Sequence, residues 1–100
     1  MPKLFSELTT GHLSEINTGL RDMTSKFNIV NTRINPDFAV IEFWSSNDYK
    51  NGFNTNNLNN PHASINISEK FEIIIEGFDN DEKNLIKQFV GVYLKCHKFI

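Results

Sequence analysis

One hundred residues, 39% hydrophobic and 22% charged, describe one folded domain and exclude a disordered chain. A net charge of −2 lacks the basic excess that neutralising phosphates requires, so nucleic-acid binding is disfavoured. A single cysteine excludes an intrachain disulfide framework, and no stretch approaches the roughly 20 apolar residues of a membrane span.

The opening segment, MPKLFSELTTGHLSE, is interrupted early by acidic and polar residues. It does not read as a signal peptide, and a cytoplasmic protein is expected. Leu4, Phe5 and Leu8 suggest a first turn or short helix. Thr9-Thr10-Gly11 can break or re-cap the chain, with Thr10 as N-cap. Leu13, Ile16, Leu20, Met23 and Phe27 then recur at intervals of 3, 4, 3 and 4, the stripe of an amphipathic helix. Gly19 falls inside it at a cost of about 1 kcal/mol relative to alanine.

Residues 28–45 read as a hairpin. A strand of mixed polarity runs to Ile34, and Asn35-Pro36-Asp37 supplies turn chemistry. The next strand, Phe38 to Trp44, is apolar on both faces except at Glu42, which predicts a central position in a sheet. From about 46 to 63 periodicity disappears among seven asparagines, and a loop is expected. Period two returns over 64–76, where Ile65, Ile67, Phe71, Ile73 and Ile75 share one phase. The usual strand length favours two strands with a turn at Ser68-Glu69-Lys70, although that turn has no glycine.

The final helix is the clearest element. Asp79 and Glu82 have capping-box spacing, acids start the helix, and Lys95, His97 and Lys98 end it. Leu85, Phe89, Val92, Cys96 and Phe99 form a 4, 3, 4, 3 stripe, widened by Ile86, Val90, Tyr93 and Leu94. On this reading Cys96 is a small buried hydrophobe. The fold expected is α+β, a single domain over residues 1–100. An antiparallel sheet of three or four strands carries the N- and C-terminal helices on one face, in the order α-β-β-β(-β)-α.

A search for chemistry finds little. His12, His62 and His97 lack metal-ligand spacing with each other or with Cys96. No phosphate-binding glycine loop or nucleophile elbow occurs. Glu72 and Glu76 would lie ~13 Å apart on a strand at ~3.3 Å per residue, too far to share a proton. No catalytic residue, metal or cofactor is assigned, and the chain is not expected to be an enzyme.

The distinctive segment is EKFEIIIEGFDNDE, residues 69–82, with six carboxylates and one lysine. Asp79, Asp81 and Glu82 suit a helix start. Glu69, Glu72 and Glu76 remain as a stripe on the outward face of a strand. The functional expectation is a small acidic protein-binding module that neutralises or inhibits a basic partner, such as a nuclease toxin. Immunity proteins, antitoxins and phage-encoded inhibitors of host defence share this physical type, which is an analogy of type alone. The candidate contact residues are Glu69, Glu72, Glu76, Asp79 and Asp81, with Trp44, Asp48, Tyr49 and Phe53 beside them. The alternatives are a small-molecule or enzymatic site at the 45–63 loop using Asp48, Tyr49 and His62, and a homodimer through an exposed apolar helix face.

Overall fold

The computed structural model describes residues 3–27, 29–44 and 61–100. Most of the asparagine-rich segment, with Asp48, Tyr49 and Phe53, lies outside the described residues. A 3-10 turn at Phe5–Glu7 precedes α1 (Thr10–Gly19) and α2 (Arg21–Thr24). Four strands follow: β1 (Ile29–Ile34), β2 (Phe38–Trp44), β3 (Ala63–Ser68) and β4 (Ile73–Glu76). The last element is α3 (Asn80–Cys96). The sheet is an antiparallel meander in the order β1-β2-β3-β4, and β2 is internal as its two apolar faces require. The architecture is the expected two-layer α+β sandwich.

Registration of the strands separates two faces. Ala39, Ile41 and Phe43 of β2 align with Ile67, Ile65 and Ala63 of β3, and Ile73 and Ile75 of β4 complete the inner face. Leu13, Ile16 and Leu20 from the N-terminal helices and Ile86, Val90 and Leu94 from α3 are buried against it. Burying each such side chain contributes about 1.5–3 kcal/mol, so this face dominates the stability. Phe27, Phe43 and Phe78 close one end of the core with ring centroids 5.4 to 5.9 Å apart.

The helix ends depart from expectation by single residues with clear causes. Thr9, not Thr10, caps α1: its hydroxyl accepts from the His12 N–H, and His12 Nδ1 accepts from the Thr9 N–H at 3.0 Å. The expected helix from 13 to 27 is divided at Leu20, whose ψ of 12° leaves the helical range. Gly19 has a packing role beyond its cost to the helix. A Cβ there would lie 2.2 Å from the Phe89 ring, so glycine allows α1 and α3 to approach. Asp79 and Glu82 form the predicted capping box, with the Glu82 N–H donating to Asp79 at 2.8 Å. Two links tie α3 back to the N-terminal half: Lys26 pairs with Glu82 at 3.1 Å, and the Tyr93 hydroxyl donates to Glu15.

The rotation of α3 corrects the predicted stripe. Ile86, Val90 and Leu94 face the sheet, whereas Leu85, Val92 and Cys96 are exposed. Cys96 is therefore not a core residue. The predicted stripe depended on the helix reaching Phe99, but it ends at Cys96. Lys98, at φ 65°, then reverses the chain. Its N–H donates to the Lys95 carbonyl and that of Phe99 donates to the Leu94 carbonyl, a Schellman end. Phe99 returns to the core by this turn, not along the helix face.

The β3–β4 connection solves its missing glycine in the same way. Ser68 and Glu72 close a three-residue loop by the Ser68 N–H to Glu72 carbonyl bond at 2.9 Å. Phe71 occupies the left-handed position at φ 62°, where glycine is usual. The Ser68 hydroxyl accepts from the N–H groups of Lys70 and Glu72. The Phe71 ring lies 5.8 Å from Phe5 and 5.6 Å from Phe99, and this burial offsets the backbone strain.

These two left-handed residues predict opposite outcomes for one substitution. Lys98→Gly should stabilise the fold by about 0.5–1 kcal/mol, because an exposed side chain is lost and the strain is relieved. Phe71→Gly should destabilise it by about 1–2 kcal/mol, because lost ring burial exceeds the same relief. Gly77→Ala should cost about 2–4 kcal/mol. Its φ is +83° and an added Cβ would lie 2.2 Å from the His62 carbonyl oxygen. Urea denaturation of the three variants measures all three values.

Candidate functional site

The outer face of the sheet is built by the residues that alternate with the core. Read across the four strands, one row is Asn31, Glu42, Ser64 and Glu76, and the next is Arg33, Val40, Asn66 and Ile74. Ile29 and Trp44 pair at one end, and Phe38 and Ser68 at the other. This face is polar over an apolar floor. Trp44 is on it but only 4% exposed, and Val40 is also buried. Trp44, expected as a partner-contact residue, is therefore buried.

Among the described residues, Glu42 is the one acid enclosed by this face, at 9% exposure. Its carboxylate accepts from Arg33 Nε at 3.0 Å, Arg33 Nη2 at 3.4 Å and Asn31 Nδ2 at 3.3 Å. Three donors satisfy a charge that would otherwise be costly to desolvate. Glu42 is thus held by β1 and is not a free charge. Glu76 lies two strands away with Ser64 between them, about 10 Å at ~4.8 Å per strand. The two carboxylates cannot share a proton.

Between these rows lies an open cleft of about 460 Å³. Arg33, Glu42, Ser64, Asn66 and Glu76 line it over Val40, and His62 and Gly77 lie at one end. Asn66 Nδ2 donates to the Ser64 hydroxyl at 3.2 Å. His62 is exposed, and its backbone N–H donates to the Phe43 carbonyl. Its expected neighbours Asp48 and Tyr49 lie outside the described residues. Among the described residues, no three His, Cys, Asp or Glu side chains are grouped to hold a metal ion, and no helix is long and apolar enough to cross a membrane.

The acidic tract divides by element. Asp79 is the N-cap of α3 and Asp81 lies in its first turn. Glu69 and Glu72 are exposed in the hairpin loop, and Glu76 is exposed at the end of β4. β4 is an edge strand of four residues, and on its outer face Ile74, 52% exposed, sits beside Glu76 in the alternation that follows Glu72. Among the described residues, Glu69, Glu72 and Glu76 make no ion pair. The structure therefore sets Glu72 and Glu76 on either side of Ile74 at the β4 edge, whereas Glu69 follows β3 on its other side, where its N–H donates to the Asp37 carbonyl of the β1–β2 turn. Trp44 is separated from that edge by β3.

Sequence reasoning missed Arg33, Asn31, Ser64 and Asn66. The signal for the first two was present: a hairpin folded at Asn35-Pro36-Asp37 sets Asn31 opposite Glu42 and Arg33 diagonal to it. Compared with known protein families, curated proteins and solved structures, the chain matches none.

The Arg33–Glu42 pair makes a measurable claim. The Arg33 side chain is half exposed, so solvent screens much of the attraction, and Arg33→Ala should destabilise by only about 1 kcal/mol. Glu42→Val alone should cost little, because Val40 and Trp44 already provide apolar neighbours on that face. Combining Glu42→Val with Arg33→Ala should recover most of the loss, because no buried carboxylate is then left without its partner. Thermal unfolding of the full double-mutant cycle gives the coupling.

Proposed function

We propose that this chain is a protein-binding module that engages a basic partner through the acidic edge of its sheet. The partner class we favour is a basic protein whose action is blocked by binding, such as a nuclease toxin or a component of a host defence complex. The observation that carries the reading is the contrast between carboxylates. Glu42 is enclosed and neutralised by Arg33, whereas Glu72 and Glu76 stand exposed along the β4 edge on either side of Ile74, with Glu69 exposed in the adjoining loop. An exposed apolar side chain flanked by two like charges suits a contact in which a basic surface is steered in and an apolar anchor is then covered. The charges also protect an edge strand that would otherwise pair indiscriminately, and that purely structural role is the competing explanation.

Charge reversal separates the two. Immobilised wild-type protein should retain a basic protein from a lysate of the source cells, with retention falling as salt rises. Glu72→Lys/Glu76→Lys should weaken that interaction at least tenfold at low salt, and Ile74→Ser should speed dissociation. If the double charge reversal binds the same partner with unchanged affinity at low salt while remaining folded, the acidic edge is not the binding surface.

The outer-face cleft supports a second reading, a small-molecule site. Its volume lies within the range of ligand pockets, although its lining is more polar than is usual for them. Thermal shifts of a few degrees with common metabolites or nucleotides, abolished by Ser64→Val/Asn66→Val, would favour this site over the edge.

A further inference from the structure

The exposed side of α3 carries a pattern that the core does not explain. Leu85 and Val92 are 55% and 56% exposed, although both belong to an apolar stripe on a well-capped helix. Ile86, Val90 and Leu94 already meet the sheet, so the helix has two apolar stripes and only one is covered. The uncovered stripe is flanked by Phe89 and Met23, with Gly19 beneath, around an open apolar groove of about 380 Å³. Two neighbouring exposed aliphatic residues beside such a groove form a patch and not scattered singletons.

The charges on this stripe indicate what could cover it. Asp81, Leu85, Gln88, Val92 and Lys95 are spaced 4, 3, 4 and 3, and all five are exposed. The sequence of chemical types is acid, aliphatic, amide, aliphatic, base. It is complementary to its own reverse. Two copies of α3 packed antiparallel about a two-fold axis at Gln88 would set Asp81 of one against Lys95 of the other, twice. Leu85 would meet Val92, twice, and the two Gln88 amides would meet at the axis. A two-fold contact uses the same patch on both partners, so a self-complementary stripe is the requirement for one. Antiparallel packing also sets the positive end of each helix dipole beside the negative end of the other. An unrelated partner would not demand this symmetry.

We infer that the exposed Asp81–Lys95 face of α3 binds a second copy of this chain in an antiparallel, two-fold contact. The face lies on the helical layer, on the opposite side of the molecule from the sheet's outer face. It therefore stands independently of the binding surface proposed above. A contact of one helix pair is small, at the low end of interface sizes, so the dimer is weak and concentration-dependent.

Sedimentation equilibrium from about 1 µM to 1 mM should show the mass rising from 11.5 kDa towards twice that value. Asp81→Lys alone and Lys95→Asp alone should each raise the dissociation constant about tenfold at low salt. The swap of both, Asp81→Lys/Lys95→Asp, should return it to within about threefold of wild type. The swap worsens the charge at both ends of the helix dipole, so a merely structural role predicts further loss, not rescue. In a Cys96→Ser background, Gln88→Cys should form a disulfide-linked dimer on mild oxidation, and Glu72→Cys on the sheet side should not. A wild-type protein still monomeric at 1 mM, or a failure of the double swap to restore association, overturns the inference. Should the swap not fold, equal cross-linking at positions 88 and 72 overturns it instead.

Discussion

The structure depends on β2 being apolar on both faces. A strand of this kind is stable only with a neighbour on each side and cover on each face. β1 reaches it through the short Asn35-Pro36-Asp37 turn, and β3 takes the other side after the long asparagine-rich segment. Once the pairing is fixed, Ala39, Ile41 and Phe43 define where both helices must lie. A slip of one residue would turn Glu42 into the core and Phe43 out of it, so the register is strongly specified. The same pairing places Glu42 beside Asn31 and Arg33, and the buried carboxylate is then satisfied by the strand that the register brings to it.

One end of the sandwich is closed by two residues in unfavourable backbone conformations. Phe71 and Lys98 both adopt left-handed φ angles without being glycine, and both serve the seating of Phe99. Lys98 turns the chain so that Phe99 enters the core, and Phe71 places its ring against Phe99 from the β3–β4 loop. Local strain of about 1 kcal/mol at each site is thus offset by aromatic burial shared between them. The N-terminal segment joins the same arrangement through Phe5 and through the Lys3 N–H bond to the Lys98 carbonyl.

Charge is distributed by layer. On the sheet's outer face one carboxylate is enclosed and neutralised, and those at the β4 edge are left in water. On the helical layer, Glu82 is paired with Lys26 and Glu15 accepts from Tyr93, whereas Asp81 and Lys95 flank an uncovered aliphatic stripe. Burial and the Glu15 carboxylate hold the Tyr93 phenol protonated well above its ordinary range, so that link persists into alkaline conditions where a free phenol would ionise. Both proposed partner surfaces draw on charges that form no ion pair among the described residues.

Local rules determined much of this from sequence alone. The Asp79–Glu82 capping box, the Asn-Pro-Asp hairpin and the alternation in β2 and β3 act between residues close in the chain, so their signals survive without a structure. The acidic stripe was legible for the same reason, since alternation alone separates Glu72 and Glu76 from Ile73 and Ile75. Tertiary structure alone decided the rotation of α3. Its two apolar stripes are equivalent to any periodicity argument, and only the end of the helix at Cys96 and the return of Phe99 selected Ile86, Val90 and Leu94 for the core. It also decided which acid is neutralised, because the partner of Glu42 is fixed by strand register and not by neighbours along the chain.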